Sequence, residues 1–189
     1  MHRVFAGILF FLTLMGTGLG FAQSTDSREL VTQFISSISQ MDTTKSDASL
    51  LRVMDKFIAV DQFAAQALGP TFSTLPDNLR VRYLRSYRLM LSRFMKNRTA
   101  KLRRESLQIL GVKSGANQTD IVYTRLKQPN DREHDVIWYI RRAGGHRIVD
   151  IAYDGVLVTD RQRQEFDAII ERSAAGLAAL PDQIDGLNP

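Results

Sequence analysis

The chain has 189 residues, 44% apolar and 24% charged, with 25 lysines and arginines against 20 aspartates and glutamates. That length suits one domain with a real core, and the composition excludes both a disordered chain and a multi-span membrane protein. There is no cysteine, which removes disulfides, thiol nucleophiles and thiolate metal sites and leaves stability to the core alone.

Arg3, the apolar run 4–14 and the small residues of Gly20-Phe21-Ala22 have the order of a secretory signal peptide with cleavage before Gln23. The run falls short of the ~20 residues of a membrane span. The expected organisation is a signal peptide at 1–22, one domain at 23–180 and a flexible tail at 181–189, in a protein exported to the periplasm.

Past the cap residues at 24–27, Leu30, Val31, Phe34, Ile35, Ile38 and Met41 form a helical stripe. Residues 41–47 are polar and turn-like. Leu50, Leu51, Met54, Phe57 and Ile58 mark a second helix. A third runs from Asp61, a cap candidate, to the terminators Gly69-Pro70. Pro76 opens the longest helix, about 79–102, with Tyr83, Tyr87, Leu91 and Phe94 on one face and Arg82, Arg85 and Arg93 off it. Ten cations and no acid fall within 79–104, so the basic charge sits in one segment. Arg82, Arg85 and Arg93 are candidates for docking anionic headgroups or an acidic membrane partner; a solvated helix face is the plainer alternative. Their interleaved aromatics lie on the buried face, and export removes nucleic acid as a partner.

Strand patterns at 106–112, 119–127, 134–142 and 146–153 are joined by short polar loops, which argues for an antiparallel meander. Thr159 and Gln162 have capping-box spacing before a last helix carrying Phe166, Ile169 and Ile170. Helices, then four strands, then a helix define an α+β fold with helices packed on a curved antiparallel sheet, NTF2-like in outline. Val136, Trp138 and Ile140 alternate with Ile137 and Tyr139, and Ile148 and Ala152 with Val149 and Ile151. Both sheet faces are apolar, so something is expected to cover the second, whether helices, a dimer partner or a ligand.

Catalytic chemistry has little support. His134-Asp135 is one conceivable acid–base pair. His146 and Asp150 share a strand face but stand ~13 Å apart at four-residue spacing. Neither pair has a nucleophile at motif spacing, and no metal-ligand spacing appears. No enzyme, metal or cofactor is expected.

Two stretches carry a family resemblance. Phe57, Ala67-Leu68-Gly69, Phe72 and Leu75-Pro76 fall in order in the first half. In the second, His146-Arg147-Ile148-Val149-Asp150-Ile151 precedes Asp154-Gly155-Val156-Leu157, then Arg163 and Phe166. Together they resemble the periplasmic phospholipid carriers of the Mla and toluene-tolerance type, with their hopanoid-associated relatives. His146, Asp154 and Leu157 replace a tryptophan, a glutamate and a serine of the family pattern, which places the chain in a divergent branch. The resemblance implies a soluble, monomeric lipid shuttle that serves outer-membrane maintenance with a membrane-anchored ABC lipid transporter. It also implies an apolar cavity between sheet and helices, lined by Tyr83, Tyr87, Leu91, Phe94, Val136, Trp138, Ile140, Val149 and Ile151. Arg163 is expected to pair with Asp150 or Asp154. The rival reading is an interaction domain that dimerises through its sheet.

Overall fold

The computed structural model describes residues 19–41 and 47–187, with side chains from 25–41 and 48–187. The signal-peptide run at 4–14, most of the polar turn at 41–47 and the final residues 188–189 lie outside the described residues. Among the described residues six α-helices and a five-stranded sheet follow one another: α1 (Leu19–Ser39), α2 (Asp47–Phe57), α3 (Val60–Leu68), α4 (Asp77–Leu102), β1 (Ser106–Ser114), β2 (Thr119–Lys127), β3 (Glu133–Arg141), β4 (Arg147–Tyr153), β5 (Val156–Leu157), α5 (Val158–Arg172) and α6 (Leu180–Gly186).

The sheet is antiparallel in the order β1-β2-β3-β4-β5. The expectation of four strands is short by one. Asp154 and Gly155 both take positive φ (49° and 83°), the two-residue turn Asp-Gly favours. That turn folds Val156 and Leu157 back onto Tyr153 and Ala152. The N-terminal half of β4 has a single parallel bridge, from Ile58 to Ile148. The edge of β4 is thereby covered at both ends, which blocks edge-to-edge pairing.

One bulge changes the faces of β4. Tyr139 pairs with Asp150 and Ile140 with Ile148, so Val149 is the extra residue. Beyond it the alternation slips by one position. Ile148 and Ile151 therefore share the face of Ile140 and Trp138, instead of lying on opposite faces as simple alternation has it. The expected shared face of His146 and Asp150 rested on that alternation and goes with it.

The inner face of β2 and β3 reads Asp120, Val122, Thr124, Leu126 and Val136, Trp138, Ile140, and all seven are buried. Phe34 of α1 meets the Trp138 ring edge-on at 5.9 Å and Phe57 of α2 at 5.7 Å. On the outer face Ile121, Ile137 and Tyr139 are half-buried and Tyr123 is exposed. Described helices leave the β2 and β3 part of this face partly open, whereas on β4 Asp150 and Ala152 are buried.

Three end assignments differ from the expectations. Thr159 lies inside α5 and does not cap it, because its hydroxyl bonds Asp150. Asp61 sits in the first turn of α3 and makes no cap bond. Where a flexible tail is expected from 181, α6 forms with Leu180, Pro181 and Ile184 buried. Apolar side chains at four-residue spacing meet one helix face, and burying them offsets the entropy of ordering the segment.

Candidate functional site

The candidate lining residues form two clusters. The first lies on the sheet: Val136, Trp138 and Ile140 are buried and Ile151, opposite Trp138, is half-buried. Trp138 donates its indole N–H to the Thr124 hydroxyl at 2.9 Å, and that hydroxyl donates to the Val136 carbonyl at 2.7 Å. A tryptophan whose N–H is satisfied this way is locked in one orientation.

The second cluster lies among the helices. Tyr83 and Tyr87 of α4 are fully buried, 5.9 Å apart by ring centroids, and both meet Phe166 of α5 edge-on at 6.2 and 6.3 Å. Tyr83 donates to the Ala64 carbonyl at 2.8 Å and Tyr87 to the Gln162 side-chain oxygen at 2.7 Å. Burial raises both phenol pKa values, so both rings stay protonated donors.

The residues expected to line one cavity thus fall in two places: Phe34 on α1 faces Trp138, and Phe166 faces the tyrosines. α4 packs chiefly on α1, α2, α3 and α6. Leu91 is buried as expected, but Phe94 is 48% exposed and lines no interior. A 26-residue helix in contact with several neighbours does not keep one uniform buried stripe: on the turn of Phe94 the buried side is that of Leu91, Ser92 and Met95, and Phe94 lies off it. Val149 is buried at the bulge, outside the main apolar cluster.

Beside the tyrosines runs a buried polar chain that sequence reasoning missed. Asp150 accepts from the Thr159 hydroxyl at 2.5 Å and from the Ile151 N–H at 2.8 Å. Burial raises its pKa, against the lowering effect of those bonds. The signal was an Asp within an otherwise apolar strand. Asp120 is a second such case. Its oxygens take Arg142 at 2.7 Å, Ser27 of α1 at 2.7 Å and Ser114 at 3.2 Å, with the carboxylate 1% exposed.

The basic helix is mostly a set of fasteners. Arg82 pairs with Asp182 at 2.7 Å, and Arg93 donates to the Asp185 carbonyl at 2.8 Å, so both hold α6. Arg88 reaches Asp55 of α2. Arg103 donates to the carbonyls of Ser39, at 2.9 Å, and of Met41, at the C-terminal end of α1, where a cation opposes the helix dipole. Of the three docking candidates, Arg85 is exposed and takes no part in holding α6.

Arg163 pairs with neither Asp150 nor Asp154. It donates to the Gln66 carbonyl through Nε at 3.2 Å and Nη2 at 2.6 Å, and meets Asp160 at 3.5 Å. His134 takes Asp154 at 2.8 Å, and that bond is the largest cause lowering the Asp154 pKa. The His134-Asp135 pairing is thus replaced. Among the described residues no group of three or more His, Cys, Asp or Glu stands close enough to hold a metal. Nor is any described helix long and apolar enough to cross a membrane.

Helices stacked on one face of an antiparallel meander, with aromatic clusters at the interface and polar ties at its edges, define an α+β domain built around its apolar interior. The family model of the MlaC protein matches residues 28–185, and the chain belongs to that family. Among solved structures it is similar to a phospholipid-binding protein from Ralstonia solanacearum, determined in complex with a phospholipid. The TM-score is 0.70 at 13% identity, covering 87% of this chain and 97% of the other. No curated protein matches the chain in sequence.

Proposed function

We propose that this protein is an exported carrier that takes up the acyl chains of a phospholipid or a related lipid, such as a hopanoid, and shuttles it between membranes. Family membership over residues 28–185 carries the reading. It is supported by the Ralstonia relative of the same fold, which was determined with a phospholipid bound.

The physical requirement is large. Each methylene moved out of a bilayer costs ~0.8 kcal/mol unless it is reburied, so two long chains need on the order of 20 kcal/mol of compensation. A surface groove does not supply that; an interior parted between the sheet face of Trp138 and the layer of α1 and α4 does. The headgroup stays in water at the mouth. Uptake and release then need only movement of helices over the sheet, with no covalent step. The proposed partners are membrane-anchored components of an ABC-type lipid transporter, with the carrier itself monomeric.

The test is mass spectrometry of lipids extracted from protein purified from its native compartment. The expected result is close to one lipid per chain, whose mass also separates phospholipid from hopanoid. Lipid-free protein that takes up none from vesicles would remove the reading. N-terminal sequencing of the same sample is expected to begin at Gln23.

The apolar outer face of Ile121, Tyr123, Ile137 and Tyr139 favours a second reading, a domain that pairs through its sheet. It predicts a mass that doubles with concentration, and no extractable lipid.

A further inference from the structure

We propose that the β3–β4 hairpin carries an anion site, formed by Arg141, His146 and Arg147, that takes a phosphate group. The site needs no acyl-chain binding and stands apart from both aromatic clusters.

Arg141 and Arg147 are direct cross-strand partners. Like charges opposed in this way, with Cβ atoms about 5 Å apart, destabilise a sheet unless an anion lies between or over them. Among the described residues none is supplied to either. Arg141 donates Nη1 to the neutral Gln62 side chain at 2.8 Å, and Arg147 donates Nη1 to the His146 carbonyl at 2.9 Å. The Nε of Arg141 and the Nε2 of His146 are both buried and have no hydrogen-bond partner among the described residues. A buried donor left unpaired carries a desolvation penalty, and the Arg141 Nε, within this cation pair, points to a missing acceptor; the His146 Nε2 joins it as a donor in the Nε2–H tautomer or the imidazolium. Arg142 is the contrast: one position along, it is held by Asp120 at 2.7 Å.

The frame is rigid. The Ala59 N–H donates to the Ile148 carbonyl at 2.9 Å, and the Arg142 N–H to the Gln118 carbonyl at 2.9 Å, which fixes the base of the hairpin from two sides. Gly144 and Gly145 take φ of 72° and 92° and form the turn without side chains. A Cβ on Gly145 would come within 3.7 Å of Arg147 Nη1, so glycine keeps the approach to that guanidinium open. Two planar guanidinium forks with an imidazole suit an oxyanion with several acceptor oxygens and more than one charge. That is phosphate chemistry, whether on a lipid headgroup or as the free ion.

The test follows imidazole NMR signals of the whole protein at constant ionic strength. One arm adds inorganic phosphate. The other adds short-chain dihexanoyl phosphatidylglycerol below its micelle concentration. Saturable movement of His146, with His134 stationary as the internal control, is expected in one arm at least, and the responding arm identifies the source. Arg147→Gln and Arg141→Gln should each weaken the response about tenfold, with Arg147→Lys intermediate. Trp138 emission checks that each variant is folded, and should either fail, the wild-type titration decides alone. A His146 signal indifferent to both additions overturns the proposal. So does a response undiminished in Arg147→Gln.

Discussion

Arg163 holds the end of α3 from another helix: its Nε and Nη2 both reach the Gln66 carbonyl, at 3.2 and 2.6 Å. The last carbonyls of a helix have no partner within it, and its C-terminus carries partial negative charge, so a guanidinium there satisfies both. Gly69, with φ of 62°, turns the chain directly beneath, and a Cβ on it would sit 3.0 Å from Arg163 Nε. Arg163→Ala should cost about 1–2 kcal/mol in urea unfolding, at the lower end for hydrogen bonds to charged groups because the side chain is partly exposed. Arg163→Lys should recover little, since a point charge does not reproduce the two-nitrogen geometry. A neutral effect of both would mean that the contact is incidental.

Asp120 is the buried node joining α1 to the sheet through Ser27 and Arg142. Removing one partner of a buried ion pair strands the other, at about 3–5 kcal/mol. Asp120→Ala should show that loss in the urea midpoint, and Asp120→Asn less, since an amide oxygen still accepts. A loss below ~1 kcal/mol in Asp120→Ala would show the pair to be solvated in solution.

Asp150 gives stability a pH slope of unusual sign. Its carboxyl titrates above its ordinary value of 3.8 in the folded protein, chiefly because it is buried. Between the unfolded and the folded pKa the native state holds more protons, so stability from this group falls as pH rises through that window. Asp150→Asn keeps an acceptor for Thr159 and removes the titration. The wild type should therefore lose stability relative to Asp150→Asn as pH rises from the ordinary carboxylate value of 3.8 through the raised folded one. A flat or opposite difference would contradict the burial argument.

The two aromatic clusters separate lining from packing. Phe94 is 48% exposed, so Phe94→Ala should change stability by less than ~0.5 kcal/mol. Val136 is buried beside Trp138, and Val136→Trp should block lipid uptake while leaving the fold intact if helices part there. In an unyielding core it would overpack, at a typical cost of 1–3 kcal/mol. Emission of Trp138 is expected to shift on delipidation and to recover when lipid returns. An indifferent spectrum with an unfolded Val136→Trp would make this ordinary core.

Docking through the basic helix is best tested at Arg85, because Arg82 and Arg93 already hold α6. Arg85→Glu should leave the melting temperature unchanged and slow transfer to anionic vesicles most at low salt. Equal transfer rates across a salt series would leave Arg85 a solvated charge.

Much of the architecture is legible in the sequence. Periodicities of 3.6 and 2 marked α1–α5 and the four long strands, because each element must present one apolar face to a shared core. The spaced motifs around Ala67-Leu68-Gly69 and Asp150 pointed to the family that residues 28–185 match. Tertiary structure alone decided the rest. The bulge at Val149 reversed the faces of half of β4, since one extra residue shifts a period of two without leaving a local signature. Phe34 rather than Phe94 met Trp138, since helix order in space is set by which surfaces interlock, not by hydrophobicity along one helix. Arg82, Arg93, Arg103 and Arg163 became ties between elements, because a long cation takes whatever carbonyl or carboxylate the fold carries within reach. Partners of such charges, like those of Arg141 and Arg147, are properties of distance in space, which a linear sequence does not contain.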